Sequence, residues 1–363
     1  MRRVLLLPLL ACLAAPPAPP AAAQAAAGEA PAAVEADPRV PGAVRRGLAF
    51  LASVQGPGGG FPDGRGGRSA GITAIAAMAF LADGHLPGRT GYGFVVDRAT
   101  RFLLNNAGPS GLLAADTSHG PMYGHGYATL FLAEVYGELG AGPAGAVDEA
   151  AVRSALVRAV RLIVDTQNPE GGWRYQPRPL DADISVTITQ VMALRAARNA
   201  GVAVPAETIE RAIAYVKACQ QGGPLRAGGG GFRYMTTPGG VQWARSAAGV
   251  ASLQYAGVYG GDEVERGLAW LAANGPAAGA PGRAGGFRGN RVHFFYGHYY
   301  HAQAAFLAGG EHWAGHFPRA REEVLAGQGE DGAWASSHGE AYGTGMALLV
   351  LQMPNRLLPI FQR

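Results

Sequence analysis

The chain has 363 residues, of which 48% are hydrophobic and 15% are charged, so it is able to bury a large core. Its formal net charge of +4 comes from arginines spread along the chain without a basic run, which argues against a nucleic-acid partner and a polybasic membrane patch. The two cysteines are Cys12 and Cys219, and Cys12 falls in a segment that we expect to be removed, so no intrachain disulfide is expected.

The first 25 residues have the pattern of a secretory signal peptide. Two arginines precede the apolar stretch Val4–Leu13, which is too short to cross a bilayer. Cys12 ends a Leu-Leu-Ala-Cys sequence that resembles a bacterial lipobox, in which this cysteine would carry a lipid tether. Residues 26–42, rich in Ala and Pro, predict a linker. We expect a bacterial protein that is exported to the periplasm or the medium, with lipid anchoring as an alternative.

A short phrase recurs six times in the rest of the chain and sets its architecture. One of its clearest copies begins at Arg158, continues to Gln167 and ends at Gly171 and Trp173. A fixed period of this kind is typical of a repeat fold, in which each copy is one supersecondary unit. The arginines that begin the copies lie 52 to 60 residues apart, at Arg46, Arg98, Arg158, Arg211, Arg266 and Arg319.

Some copies of the phrase are incomplete. The second has Ala107 in place of the glutamine and Leu113 in place of the aromatic residue. The fourth reaches Gly231-Phe232 only after a Gly-rich insertion. We expect the glutamine to hydrogen-bond backbone groups at a helix end and the aromatic ring to stack under the glycine turn, which gives the phrase a structural role.

Each copy predicts two helices separated by a Gly/Pro turn. The first helix carries more Arg and Glu and suits an outer ring, whereas the second is rich in Ala, Gly, Ser and Thr and suits a closely packed inner ring. Six such pairs are able to close, so the sequence predicts an all-α fold, a single (α/α)6 toroid of six helical-hairpin repeats over residues 43–363. The predicted inner stretches are Ser69–Ala82, Met122–Leu139, Asp183–Ala200, Trp243–Val258, Phe294–Ala308 and Tyr342–Gln352.

The Gln-x3-Gly-x-Trp phrase in six helical pairs resembles the toroid shared by squalene–hopene cyclases, other class II terpenoid cyclases and protein prenyltransferase β subunits. The resemblance covers Pro41 to Arg363. It implies an axial cavity that takes an apolar isoprenoid or lipid ligand, with no cofactor. Fold alone does not determine the reaction, which depends on the residues of the site.

Asp181-Ala182-Asp183-Ile184 is similar to the Asp-x-Asp-Asp motif of class II terpenoid cyclases. The resemblance makes Asp183 the catalytic proton donor and Asp181 its supporting acid, while Ile184 replaces the fourth-position acid. An aspartate before Ser and Thr at a helix start is also typical of an N-cap, which is the structural alternative.

The stretch Asn290–His301 is the most aromatic in the chain and contains two histidines at helical spacing. Prenyltransferase β subunits bind zinc through a histidine at a comparable point, but they need an Asp-x-Cys pair that Phe232–Gly249 lacks. We therefore expect no metal and no α subunit. A different metal site formed by His125, His298 and His301 is the alternative.

Aromatic and histidine side chains recur near the starts of the inner stretches, and we expect them to line the axial funnel. Aromatic walls stabilise carbocations, but they also stack on sugars and fill cores. The candidate substrate-binding residues are Trp173, Tyr175, Tyr123, His125, Tyr127, Trp243, Tyr296, His298, Tyr300, His301, His338 and Tyr342.

Three functions remain open from the sequence. The first is a squalene/terpenoid-cyclase-like protein that binds an isoprenoid and, if it is an enzyme, cyclises it by protonation as an isomerase. The second is an exported toroid that holds a lipid or a protein without turnover. The third is an extracytoplasmic polysaccharide-active α/α-barrel enzyme, which requires two carboxylates about 5–10 Å apart. The candidate carboxylates for the third are Glu340, Asp116, Asp181 and Asp183.

Overall fold

The structure is a computed structural model that describes residues 34–362 except 90, 116–119, 140–146, 223–228 and 277–292. The predicted signal peptide and Cys12 lie outside the described residues. Within the described part, the chain forms twelve α-helices joined by turns and loops. In chain order they are α1 (Arg39–Val54), α2 (Ala70–Leu81), α3 (Gly93–Asn105), α4 (Met122–Leu139), α5 (Glu149–Asp165), α6 (Ile184–Asn199), α7 (Ala206–Cys219), α8 (Trp243–Tyr255), α9 (Asp262–Asn274), α10 (Phe294–Ala308), α11 (Gly310–Leu325) and α12 (Glu340–Leu351).

The even-numbered helices form a closed inner ring, and the odd-numbered helices surround it. α2 packs on α4, and the packing continues in order through α6, α8 and α10 to α12, which returns to α2. The outer helix α1 packs on α12, so the first and last repeats are joined. The predicted all-α (α/α)6 toroid is confirmed. α1 begins at Arg39, so the linker boundary predicted at residue 42 falls inside this helix.

The inner helices run in the same direction, because each outer helix carries the chain back along the ring. Their first turns therefore lie together at one end. The Tyr123 hydroxyl in the first turn of α4 donates a hydrogen bond to Ser185 Oγ in the first turn of α6. Gly71 and Gly124 pack so closely that a Cβ on Gly71 would lie 3.0 Å from the Gly124 Cα. The small residues of the inner stretches thus allow neighbouring helices to approach closely. This is the property on which the sequence analysis placed these stretches in the inner ring.

The repeated glutamine connects each outer helix to the next one. Gln167 Nε2 donates to the Gly171 carbonyl of its own turn at 2.8 Å and to the Thr208 carbonyl at the start of α7 at 2.9 Å. Gln328 does the same with the Gly332 and Ala43 carbonyls, which joins α11 to α1 and closes the outer ring. Gln55 and Gln220 make equivalent pairs of bonds.

The repeated glycine makes an equally specific contact with the next repeat. Gly171 has φ +101°, and a Cβ on it would lie 2.1 Å from the carbonyl oxygen of Arg211, the anchor arginine of the next outer helix. Only glycine fits such a position, because both the conformation and the space exclude a side chain. Gly59, Gly111, Gly230 and Gly332 repeat this contact. In the fourth repeat the equivalent glycine is Gly230, so the prediction of Gly231 is wrong by one residue.

The repeated aromatic residue packs beneath the turn. Trp173 is 1% exposed, and its indole N–H donates to the Ile163 carbonyl of α5 at 2.7 Å. Trp334 makes the same contact with the Val324 carbonyl of α11. The structural role expected for the phrase is therefore observed in each of its three parts.

A C-terminal segment, residues 353–361, covers the end of the ring opposite the first turns of the inner helices. Its second 3₁₀ turn, Pro359–Phe361, packs on α6 and α10. The Ile360 N–H donates to Glu134 Oε2 of α4 at 3.4 Å, and Phe361 is 2% exposed. None of the helices in the described residues has the length and apolar character required to cross a membrane.

We predict that Gly171→Ala destabilises the protein by about 3 kcal/mol or more, because its Cβ meets the Arg211 carbonyl. Gly201→Ala is the matched control. Gly201 also has a positive φ, +81°, but a Cβ there meets nothing within 4 Å, so the cost is limited to about 1–2 kcal/mol of backbone strain. Denaturant unfolding of both variants measures the difference. Equal losses would contradict the assigned inter-repeat contact.

We predict that Glu134 makes stability fall as pH rises. Burial raises the pKa of Glu134 to about 8 from a usual value of 4.5. The folded state therefore holds a proton that the unfolded state releases between these values, and stability is lost through that window by roughly 2–4 kcal/mol. Glu134→Gln removes this loss, whereas the exposed Glu210→Gln keeps it. Unfolding free energies at pH 5 and pH 8.5 test this, and parallel pH profiles for all three proteins would contradict it.

Candidate functional site

Polar and aromatic side chains collect around Asp183 at the end of the ring where the inner helices begin. We call this group the mouth cluster. It includes residues of α4, α6, α8 and α10, and of the loops that follow the glycine turns of the third and fourth repeats. Its members are Tyr123, Arg174, Tyr175, Asp181, Asp183, Ser185, Tyr234, Arg245 and Tyr296.

Asp183 is fully buried at the N-cap of α6. Its Oδ1 accepts hydrogen bonds from the Ser185 and Val186 N–H groups, at 2.9 and 3.0 Å, and from the Ser185 hydroxyl. The N-cap alternative is therefore observed. Its Oδ2 is different, because it is buried without a hydrogen bond within the described residues and faces Arg174 Nε at 3.8 Å. Burial raises the pKa of Asp183, although the bonds to Oδ1 oppose this.

Arg174 joins the two aspartates of the predicted acid motif. Its Nη1 donates to Asp181 Oδ2, and its Nε faces Asp183 Oδ2. The Asp181 side chain is 52% exposed, whereas that of Asp183 is inaccessible. The guanidinium also lies over the Tyr175 and Tyr234 rings, 5.3 and 5.8 Å from their centroids. One arginine therefore holds a buried carboxyl group and an exposed carboxylate side by side.

Tyrosines line the cluster and continue along the ring axis. The Tyr175 and Tyr234 hydroxyls contact each other. Deeper in the ring, the Tyr127 and Tyr300 hydroxyls lie 2.8 Å apart, and the Tyr300 ring contacts Tyr296 with centroids 4.6 Å apart. Burial raises the pKa values of four of these phenols, so they remain neutral and act as hydroxyl donors and acceptors; they are Tyr127, Tyr234, Tyr296 and Tyr300.

His125, predicted to bind substrate, lies outside the mouth cluster. It is fully buried, its Nδ1 accepts from the Leu113 N–H at 3.1 Å, and its Nε2 donates to the Ala159 carbonyl at 3.2 Å. Burial lowers its pKa to about 4, so it is neutral at ordinary pH. In four other repeats a hydroxyl accepts the equivalent N–H, from Phe61, Trp173, Phe232 or Trp334. These hydroxyls belong to Thr73, Thr187, Ser246 and Thr344. His125 therefore substitutes for a structural hydroxyl.

His298 and His301 lie on the outer side of α10, facing α11. His298 Nε2 is 3.2 Å from Glu323 Oε2, and His301 stacks on His316 with centroids 3.5 Å apart. The Trp243 indole donates to His301 Nδ1 at 3.1 Å. These side chains form a cluster between outer and inner helices and do not join Asp183. Within the described residues, no group of three or more His, Cys, Asp or Glu side chains is arranged to hold a metal ion.

The remaining predicted residues are divided between the site and the packing. Trp173 packs beneath the glycine turn of its own repeat, as described above. Tyr342 at the start of α12 is partly buried, and its ring contacts His338, with centroids 5.2 Å apart. Glu340 is exposed at the first position of α12, and Asp116 lies outside the described residues. Of the four candidate carboxylates, the structure thus brings together Asp181 and Asp183.

Four members of the mouth cluster were not among the candidates from the sequence: Arg174, Ser185, Tyr234 and Arg245. The repeat contains a signal for two of them. Arg174-Tyr175 follows Trp173 as Arg233-Tyr234 follows Phe232, so aligning the third and fourth repeats identifies Arg174 and Tyr234. No such pattern marks Arg245. Two surface grooves of about 420 and 440 Å³ lie between outer helices and contain none of the predicted site residues.

Comparison with known proteins supports the fold and leaves the activity open. No protein-family model and no curated protein sequence matches the chain. Among solved structures, it is similar to the GH76A α-1,6-mannanase of a Salegentibacter species, with a TM-score of 0.58 at 10% identity over 88% of this chain and 99% of that one. A glycosidase variant in complex with glucose gives 0.59 at 14% identity over 90% and 100%. A type II terpene cyclase from Scytonema gives only 0.39 at 14% identity over 88% and 99%.

We predict that Asp183→Asn is tolerated and that Asp183→Ala is not. Asparagine keeps an oxygen acceptor for the three donors at Oδ1, and it resembles a protonated carboxyl group. Alanine leaves those donors unpaired, at a cost of about 2 kcal/mol. Denaturant unfolding at pH 7 measures both. If asparagine costs as much as alanine, stability depends on the charge of Asp183, and the explanation by the oxygen acceptor alone is wrong.

Proposed function

We propose that the protein is an exported polysaccharide-active enzyme that hydrolyses a glycosidic bond at the mouth cluster. The observation that carries the proposal is the pair of carboxyl groups on Arg174, one buried with a raised pKa and one exposed. Glycoside hydrolysis uses two such carboxyl groups in different environments, so that one donates a proton while the other remains ionised.

In this proposal Asp183 is the general acid and Asp181 is the carboxylate. Burial raises the pKa of Asp183, even though the hydrogen bonds to Oδ1 and the Arg174 guanidinium, whose Nε lies 3.8 Å from Oδ2, favour the ionised form. Asp181 is exposed and paired with the Arg174 guanidinium. One guanidinium contacts both groups, so the two carboxyl groups lie side by side, as the paired carboxyl groups of glycosidases do.

The lining of the cluster suits a sugar. Phenol hydroxyls and guanidinium groups hydrogen-bond to hydroxyls, while the partly exposed rings of Tyr123 and Tyr175 offer flat faces for stacking. The fold is shared with a mannanase and a glycosidase, and variants of the mannanase altered at two consecutive aspartates are inactive. This likeness at 9–14% identity concerns the fold, so the support for activity comes from the residues.

A second candidate is a terpenoid-cyclase-like isomerase that protonates an isoprenoid. Asp183 favours it, because this residue has the position of the proton donor in the resembling motif and is buried with a raised pKa. Two features weigh against it. Ile184, where the motif has an acid, is buried in the core, and the lining carries hydroxyls and two arginines where an alkene needs an apolar, dry wall.

Attachment at Cys12, like export, remains a proposal from the N-terminal sequence.

The test is a substrate screen with the mature protein and three variants. Reducing-end assays on neutral and acidic polysaccharides run beside mass spectrometry of squalene and polyprenyl substrates. We expect new reducing ends, with Asp183→Asn and Asp181→Asn each lowering kcat about 100-fold or more. Asp148→Asn is the matched control, because Asp148 is also an N-cap aspartate but lies on the outer helix α5.

The outcomes separate the candidates. Cyclised isoprenoid without saccharide cleavage would replace the first candidate by the second. Cleavage that persists in both aspartate variants would contradict the assigned roles. No product from either class, with a retained ligand in the purified protein, would favour the exported binding toroid.

A further inference from the structure

Arg245, in the first turn of α8, differs from other arginines of the site in having no ionic partner. Its Nε is buried without a hydrogen bond, and within the described residues no carboxylate lies within the 4.0 Å of an ion pair. Its guanidinium carbon lies 5.6 Å from the Tyr234 ring centroid. A half-buried guanidinium that is neither paired nor fully hydrated is costly, and proteins seldom keep one without a use.

Arg174 provides an internal comparison. It lies over the same Tyr234 ring, with its guanidinium carbon 5.8 Å from the centroid, yet it contacts two carboxyl groups. The two arginines thus share one aromatic neighbour, but only Arg174 is neutralised. Burial lowers the pKa of Arg245, as expected for a cation that lacks a counter-charge.

A second unpartnered donor lies near Arg245. The Tyr296 hydroxyl is buried without a hydrogen bond within the described residues, and Tyr296 lies in the first turn of α10, which packs against α8. The two carboxyl groups of the cluster, Asp181 and Asp183, both face Arg174, and burial raises the pKa of Asp183. Arg245 is therefore the arginine of the cluster whose charge is left for an anionic ligand. The N-terminal ends of the inner helices add a positive field at the same place.

We propose that Arg245 and the Tyr296 hydroxyl bind a carboxylate or sulfate group of the saccharide, so that the substrate is an acidic polysaccharide. This inference rests on the proposed function, because it takes the mouth cluster to be a saccharide site. A guanidinium presents donors in a planar fork that matches a carboxylate or sulfate, whereas neutral sugar hydroxyls would leave its charge uncompensated. Arg245 is therefore a specificity-determining residue, and the bond-breaking groups remain Asp181 and Asp183.

The test measures binding by isothermal titration calorimetry, with Tm recorded for each variant. The probes are oligogalacturonate, a sulfated oligosaccharide, neutral mannotriose, geranylgeranyl diphosphate and geranylgeraniol. Arg245→Gln removes the charge, Arg245→Lys keeps it, and Arg198→Gln is the control. Arg198 is exposed in the last turn of α6, at the opposite end of the ring.

We expect at least one of the two acidic saccharides to bind about 10-fold or more tightly than mannotriose. Arg245→Gln should abolish this preference, Arg245→Lys should keep part of it, and Arg198→Gln should leave it unchanged. Arg245→Gln should also keep or raise Tm, because it removes an unpaired buried charge. An equal affinity of the unaltered protein for neutral and acidic saccharides would overturn the inference while leaving the proposed function intact.

Two other results would have different consequences. If geranylgeranyl diphosphate binds through Arg245 and no saccharide binds, the saccharide substrate and the proposed function both fail. If Arg245→Gln lowers Tm but retains the acidic preference, Arg245 is a structural residue, and the inference fails while the proposed function stands.

Discussion

The contact between a left-handed glycine and the carbonyl of the next anchor arginine is the constraint on which the whole ring depends. Each of Gly59, Gly111, Gly171, Gly230 and Gly332 places its α-carbon where no Cβ fits. The adjacent glutamine, where present, donates one N–H to its own turn and another to the next outer helix. Together these contacts fix the angle between successive helical hairpins. Because the same rotation is repeated around the ring, the ring closes.

This constraint also determines where the candidate site lies. The glycine turns lead directly into the loops that precede the inner helices, so loops from several repeats meet at one end of the ring. Two of these loops supply Arg174, Tyr175 and Tyr234, and Asp183 is the N-cap of the helix that follows the first loop. The opposite end is covered by residues 353–361, packed on Glu134. The two ends of the ring therefore differ, since residues 353–361 cover one end and the mouth cluster lies at the other. At the mouth cluster a ligand would meet buried polar atoms that lack a hydrogen bond within the described residues.

Much of the architecture was predictable because it follows from local chemistry that repeats. The Gln-x3-Gly-x-Trp spacing predicted the turns, and the small residues predicted the inner helices. The site was harder to predict, because it is made by residues from different repeats. His125 looked like a funnel residue, yet it replaces a hydroxyl such as Thr187, whose distance from the phrase varies with loop length. Arg245 stands out because no carboxylate pairs with it within the described residues, and this depends on the three-dimensional arrangement of the side chains.

The central claim is that the fold buries the carboxyl group of Asp183, which raises its pKa, beside the exposed carboxyl group of Asp181 at the mouth of the ring. Carbon-13 NMR of labelled aspartate carboxyl groups, assigned with Asp183→Asn and titrated with pH, tests it most directly. The account predicts a midpoint for Asp183 above the usual aspartate value, because burial disfavours its charge. A midpoint at or below that value would mean that the carboxyl group is ionised at neutral pH, and both the acid role and the proposed hydrolysis would be contradicted.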